Sequence, residues 1–132
     1  MSGQLKPPCT EPAIRVVMML GDTNAEGTIF GGAILSLIDQ AGYVEAMRQK
    51  HHRYVTVAFD KVEFHEPVYV GDVLSLYADA IRVGRSSLTI QVRVFARRRI
   101  DPDTNLKVTE AQVVFVAVDN AGKPVAVLEE AK

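Results

Sequence analysis

One carboxylate stands alone in a long apolar run. From residue 28 to residue 44 the chain is apolar or small apart from Gln40, and Asp39 is its one formal charge. A carboxylate in such surroundings costs free energy unless it has hydrogen-bond partners or a chemical task. Gly31 and Gly32 lie at the start of the same run, Gly31 eight positions before Asp39. If residues 31–50 are helical, these glycines sit at the N-terminus. Free backbone N–H groups and the positive end of the helix dipole favour an anion there. A carboxylate that can exchange a proton and N–H groups that can hold an anion are together the parts of a possible catalytic site.

The spacing sets a condition on how the two parts can cooperate. A helix rises about 1.5 Å per residue, so roughly 12 Å separates Gly31 from Asp39 along one axis. The reacting atom must lie about 3 Å from both base and donors. One helix cannot easily supply both. Two antiparallel helices across a two-fold interface can, with Gly31 from one subunit and Asp39 from the other, and two equivalent sites follow.

The elements that must position these groups are legible from period and punctuation. Residues 13–20 (AIRVVMML) form an apolar run of strand length, and 21–27 a polar loop whose Asp, Thr and Asn suit turns and helix caps. The helix follows over 31–50, with Gly42 inside it costing about 1 kcal/mol against Ala, a sign of close packing there. After Lys50-His51-His52-Arg53 the period becomes two. Val55, Val57 and Phe59 share one phase, Val62 and Phe64 the other, which predicts a bulge near Asp60-Lys61 or a switch in the buried face. Further strands are predicted over 73–83, 88–97 and 107–118, separated by Gly84-Arg85 and by the turn cluster at 101–105. Short turns imply antiparallel neighbours. The result is an α+β domain, an antiparallel sheet of about five strands around one long buried helix. A long edge strand would remain open, which favours at least a dimer.

Bulk properties narrow the class. The chain has 132 residues, 48% hydrophobic and 23% charged, the balance of one ordinary globular domain. Proline-rich residues 1–12 read as a flexible arm, 13–125 as the single domain and 126–132 as a tail. Net charge is −1, so nothing global favours nucleic acid or an anionic membrane. One cysteine, Cys9, excludes an internal disulfide framework and fits a reducing compartment. No signal peptide and no span of about 18 apolar residues is present, and the expected location is cytoplasmic. His51, His52 and His65 make no arguable metal constellation with Cys9, so no metal is expected.

Four blocks in order, DTNAEGTIFGGAILSLID, VTVAFDKVEFHEPVYVGDVL, VGRSSLTIQVRVFARRR and TEAQVVFVAVDNAGKP, resemble the hotdog-fold acyl-CoA thioesterases. The likeness runs over about residues 14–125. It is nearest to the bacterial short-to-medium-chain acyl-CoA hydrolases, which are similar to the mammalian brain acyl-CoA hydrolase. The resemblance implies a sheet wrapped around a central helix, and homodimers that often assemble further into hexamers. It also implies hydrolysis of an acyl-CoA substrate to acid and CoA without a cofactor or metal.

The resemblance also assigns roles. Asp39 matches the family carboxylate, general base or nucleophile. Thr56 matches a strand hydroxyl that orients the water, and burial of Asp39 would require such a donor. Gly31, with Gly32 beside it, matches the oxyanion donor, and Asn24 the residue that orients the carbonyl or the water. The phosphates of CoA call for a basic mouth. Arg85-Ser86-Ser87 and the family's basic pair at Arg97 and Arg98 are the candidates. Leu35, Ile38, Gly42 and Phe59 are the expected pocket floor. Three other readings compete. A hydroxyacyl thioester dehydratase generally calls for a His in the entry loop, where this chain has Asn24 and Phe30 but no His. A non-catalytic acyl-CoA-binding sensor normally needs an output domain, for which 132 residues leave no room. A purely structural oligomer leaves Asp39 unexplained.

Overall fold

The structure, a computed structural model, describes residues 4–128. Strand β1 (Ile14–Val17) leads through one 3-10 turn (Leu20–Asp22) to helix α1 (Gly31–Gln49). Then come β2 (Arg53–Phe64), β3 (Val73–Val83), β4 (Ser87–Arg97) and β5 (Leu106–Val118). The first strand is shorter than its apolar run. Its ladder ends at Val17 opposite Val73, the first residue of β3, and Met18 then bonds the turn before β3 through Asp72 O and Gly71 N–H.

The five strands form one antiparallel sheet in the order β1-β3-β4-β5-β2. Consecutive strands β3, β4 and β5 are neighbours, β3 and β4 across a short turn and β4 and β5 across residues 98–105. Strands β2 and β3 are not, against the expectation from chain order. Their link over 65–72 is as long as the one that joins β4 to β5, so loop length does not decide the order; β2 pairs with β5 instead. This leaves the 12-residue β2 as one edge of the sheet and the 4-residue β1 as the other.

β2 carries two irregularities. One lies between Asp60 and Glu63, where Lys61 has a positive φ of 50°, as the change of phase predicts. The other lies between Thr56 and Ala58 and was not anticipated. It inserts Val57 and exchanges the faces of the strand. Thr56 pairs with Phe115 and Phe59 with Val113, both on the helix side, whereas Val55 pairs with Val116 on the outer side. Val55 and Phe59 therefore do not share a face.

Helix α1 runs antiparallel to β2. The Phe64 ring lies by Gly31, Thr56 meets Asp39, and the Tyr54 hydroxyl donates to Lys50 O at 2.7 Å. The helix buries Ile34, Ile38, Ala41, Gly42, Glu45 and Ala46 at three- and four-residue spacing, the signature of one face against a sheet. Gly42 has the reason expected of it: a Cβ there would stand 2.9 Å from the ring of Phe115. The helix is not enclosed on every side, because five strands cover only one of its faces. Tyr43 and Val44 remain 45% exposed.

Both ends of the described chain pack on this frame. In the segment read as an arm, Lys6 N–H donates to Gln49 Oε1 at 2.6 Å, and Arg48 donates to Pro7 O at 2.8 Å. Past β5, Val125 N–H bonds Ala117 O and Val127 N–H bonds Arg85 O. Val127 is fully buried, so the chain stays with the core past residue 125. The remainder of the expected tail, 129–132, and residues 1–3 of the arm lie outside the described residues.

Candidate active site

The Thr56 hydroxyl donates to Asp39 Oδ1 at 2.6 Å. Thr56 faces the helix through its pairing with Phe115, in register with Tyr54, and the bulge after it returns Phe59 to the same side. With Oδ1 engaged, Oδ2 remains available to a water. Both residues open on a cavity of about 570 Å³. Its other walls include Tyr43, Val44, Tyr54 and Phe115. None of the expected floor residues Leu35, Ile38, Gly42 and Phe59 lines it, and Ile38 and Gly42 face the core of the sheet instead. Tyr43, one helical turn after Asp39, was legible from spacing. Tyr54 and Phe115 were not, because they reach the cavity through strand pairing. Burial pushes the Tyr54 phenol up to about 12, so it is a neutral donor at any ordinary pH.

The oxyanion candidates lie elsewhere in the chain. The first intrahelical bonds of α1 run from the Ala33 and Ile34 N–H groups to Phe30 O, so the N–H groups of Gly31 and Gly32 precede the ladder. Gly31 opens on a separate recess of about 350 Å³ together with Phe64, His65 and Val68. A Cβ at Gly31 would meet the Phe64 ring at 3.2 Å, while one at Gly32 would meet nothing within 4 Å. No residue lines both cavities. Within one chain, Asp39 and Thr56 come together and Gly31 does not join them.

Asn24 organises the loop that delivers Gly31. Its Oδ1 accepts from Glu26 N–H at 2.9 Å and Thr28 N–H at 3.1 Å, and its Nδ2 donates to Thr28 Oγ1 at 2.9 Å. One Nδ2 hydrogen remains beyond these bonds.

The two basic groups also separate. Arg85, Ser86 and Ser87 lie at the turn into β4, and Arg97 and Arg98 at its far end. A strand of that length spans roughly 33 Å. Thr56 and Leu88 flank Phe115 on either side, so the Arg85 turn is at the Asp39 end of the sheet. Thr109 likewise pairs with Phe64 and Val94, which puts Arg97 and Arg98 at the Gly31 end. Arg98 is engaged by the buried carboxylate of Asp72 and lies 5.0 Å over the ring of Tyr69.

Two charged clusters were not anticipated. Glu45, 3% exposed, is the buried carboxylate of α1. It accepts from Arg48 Nε at 2.7 Å, Arg48 Nη2 at 2.9 Å and Gln49 Nε2 at 2.7 Å. The hydrogen bond from Arg48 to Glu45 holds the guanidinium above its ordinary value. The second cluster joins Glu63, His65 and Glu110, whose ligand atoms lie within 4.8 Å of one another. Glu110 Oε2 already takes Lys107 Nζ at 2.8 Å and His65 Nε2 at 2.9 Å. An ammonium on that oxygen opposes a second cation, so the cluster is an ion-pair network. Lys107 first, then His65, holds the Glu110 carboxyl below its usual range.

A family model for the thioesterase superfamily matches residues 26–101, a span that contains Gly31, Asp39, Thr56 and both basic groups. The chain belongs to the thioesterase superfamily. Its helix against five antiparallel strands is the hotdog fold. This superfamily member is 45% identical over 117 residues to an uncharacterized acyl-CoA thioester hydrolase of Zymomonas mobilis, covering 89% of this chain and 78% of that one. It is 39% identical over 119 residues to the acyl-CoA thioester hydrolase YciA of Salmonella typhimurium, covering 89% and 90%. The hexameric hotdog fold thioesterase of Campylobacter jejuni superposes with a TM-score of 0.81 at 42% identity, covering 88% of this chain and 90% of that one. Among the described residues no helix is long and apolar enough to cross a membrane.

Proposed function

We propose that the chain is an acyl-CoA hydrolase that works as a two-fold homodimer, and that three such dimers form a hexamer like that of the Campylobacter jejuni thioesterase. The observation that carries the reading is the Thr56–Asp39 hydrogen bond at the mouth of a largely apolar cavity. Relatives named as acyl-CoA thioester hydrolases supply the substrate class.

Asp39 Oδ2 takes a proton from a water as that water adds to the thioester carbonyl. The oxyanion is held by the Gly31 N–H of the second subunit, with Gly32 beside it. Asn24 uses its spare Nδ2 hydrogen to orient the carbonyl or the water. Collapse breaks the C–S bond, and the proton on Asp39 passes to the departing CoA thiolate. The products are a carboxylic acid and CoA. Every group in this scheme belongs to the chain, its second copy, water or the substrate, so the reading needs no cofactor. It suits a cytoplasmic protein.

The β2 edge supports the dimer. Its 12 residues leave an unpaired ladder, and Val55, Val57, Phe59, Val62 and Phe64 are exposed along it. Edges of this length and composition are normally covered. Antiparallel pairing of β2 with a second β2 sets the Asp39 end of one subunit against the Gly31 end of the other. The same pairing brings one subunit's Arg85–Ser87 turn and the other's Arg97 region to the same end of the joined sheet, on two sides of the site. There they serve the phosphates of CoA.

The test is release of CoA thiol from acyl-CoAs of increasing chain length by wild type and Asp39→Asn. Loss of at least about a hundredfold in turnover, with fold and assembly retained, is expected for removal of a general base. Near-normal turnover in the assembled variant would remove Asp39 from the mechanism.

A further inference from the structure

A third cavity lies one residue along the chain from the Gly31 recess. Val68 closes that recess, and Tyr69 opens a cavity of about 420 Å³ between the start of β3 and the end of β4. Arg98, Arg99, Ile100, Asp101 and Thr104 complete most of its lining. Asp72 is buried at its base, where Oδ2 accepts the Tyr69 N–H at 2.9 Å and also engages Arg98 Nη1. Arg98 is thereby fixed with its guanidinium carbon 5.0 Å over the Tyr69 ring.

This arrangement changes what Arg98 can do. Its charge faces a buried carboxylate, and its side chain is only 15% exposed. It is poorly placed to meet a phosphate and well placed to hold a ring. Tyr69 nevertheless remains 44% exposed, and Ile100 beside it is 89% exposed. Arg97 and Arg99 are exposed on either side of Arg98 in sequence, with the Arg99 stem lying over Gly71. A flat aromatic–guanidinium stack, an apolar flank and two exposed cations suit a purine that carries phosphates. The Asp101 carboxylate repels phosphate on its own side and can accept from an exocyclic amine, which orients the base towards Asp101 and the phosphates towards Arg99.

We infer that Tyr69, braced by the Arg98–Asp72 pair, is the stacking platform for the adenine of CoA, with Arg97 and Arg99 meeting its phosphates. The inference rests on the acyl-CoA hydrolase reading and adds the subsite that holds the nucleotide end of that substrate. It makes Arg98 a positioning residue rather than a phosphate ligand.

Two measurements test it. In the first, Tyr69→Ala is assayed on butyryl-CoA and on butyryl-pantetheine, which lacks the nucleotide. KM for butyryl-CoA should rise about tenfold, within the range of one stacked base, with kcat little changed. The kcat/KM for butyryl-pantetheine should stay at the wild-type value. An equal change on both substrates, or none on butyryl-CoA, overturns the subsite.

The second measurement does not depend on turnover. The chain contains no tryptophan, so Tyr69→Trp creates a single fluorescent reporter. CoA and 3′-phosphoadenosine 5′-diphosphate should quench it, and pantetheine should not. No quenching by CoA overturns the subsite. Quenching by ATP at concentrations well below those needed for CoA overturns its assignment to the substrate, in favour of free nucleotide. Wild type that hydrolyses no acyl-CoA while CoA still quenches Tyr69→Trp would sink the hydrolase reading and leave the nucleotide subsite standing.

Discussion

Thr56 on β2 and Asp39 on α1 stand 17 positions apart in sequence and meet at 2.6 Å, hydroxyl to carboxylate. The pair orients Asp39 and leaves one of its oxygens for water. Thr56→Val should keep the fold and lower kcat about tenfold, less than loss of the base itself. Thr56→Ser, which retains the donor, should keep most of the activity. Steady-state kinetics on one acyl-CoA separates the two. Equal rates for Val and Ser would show that the hydroxyl is not what Asp39 uses.

A site divided between subunits can be rebuilt from two broken ones. Asn24→Ala and Asp39→Asn should each be inactive alone. Mixed under conditions of verified subunit exchange, they should regain activity through heterodimers that carry one intact site. Exchange without recovery would place all the machinery in a single chain.

Gly42 packs its backbone on the Phe115 ring, and a Cβ there would stand 2.9 Å from it. Alanine gains about 1 kcal/mol in helix propensity. Overpacking a buried ring costs about 1–3 kcal/mol, and Phe115 is 1% exposed with the Tyr54 ring edge-on to it at 6.3 Å. Gly42→Ala should therefore be destabilised on balance and melt at a lower temperature. Adding Phe115→Leu should return part of the loss.

Glu45 is buried with its charge held by Arg48 and Gln49. Removing one partner of a buried pair commonly costs about 3–5 kcal/mol. Arg48 is partly exposed and Gln49 keeps its bond, so Arg48→Met should cost about 2 kcal/mol, below that range. Denaturant unfolding measures it. Glu45→Gln combined with Arg48→Met should recover much of the stability, since no unpaired charge then remains.

The Glu110 network predicts a pH dependence of definite sign. Its carboxyl is depressed in the folded state by Lys107 and His65. Such a group adds stability above its unfolded value, near 4.5, and loses it as pH falls through the lower folded value. The melting-temperature gap between wild type and Glu110→Gln should be open at pH 7 and narrow steadily below about pH 4.5. A gap that widened on acidification would contradict the assignment of those two partners.

The sequence by itself determined the elements. Apolar spacing marked α1 to within a residue, strand period marked β3, β4 and β5, and the change of phase in β2 located the irregularity at Lys61. These are local signals, because period and punctuation act over a few residues. Asp39 could be singled out for the same reason, as the one charge in an apolar stretch. Tertiary structure decided what meets what. Strand order put β2 beside β5 rather than β3, and only that pairing shows which β2 residues face the helix. The pairing of Thr56 with Phe115 fixes the face that carries its hydroxyl to Asp39, and the unanticipated bulge after it changes the face of the residues that follow. Burial of Glu45, engagement of Arg98 by Asp72, and the separation of Gly31 from Asp39 into different cavities also depend on partners distant in sequence. Local period carries no record of such partners, because register and packing are set by contacts that form only when the whole sheet closes on its helix.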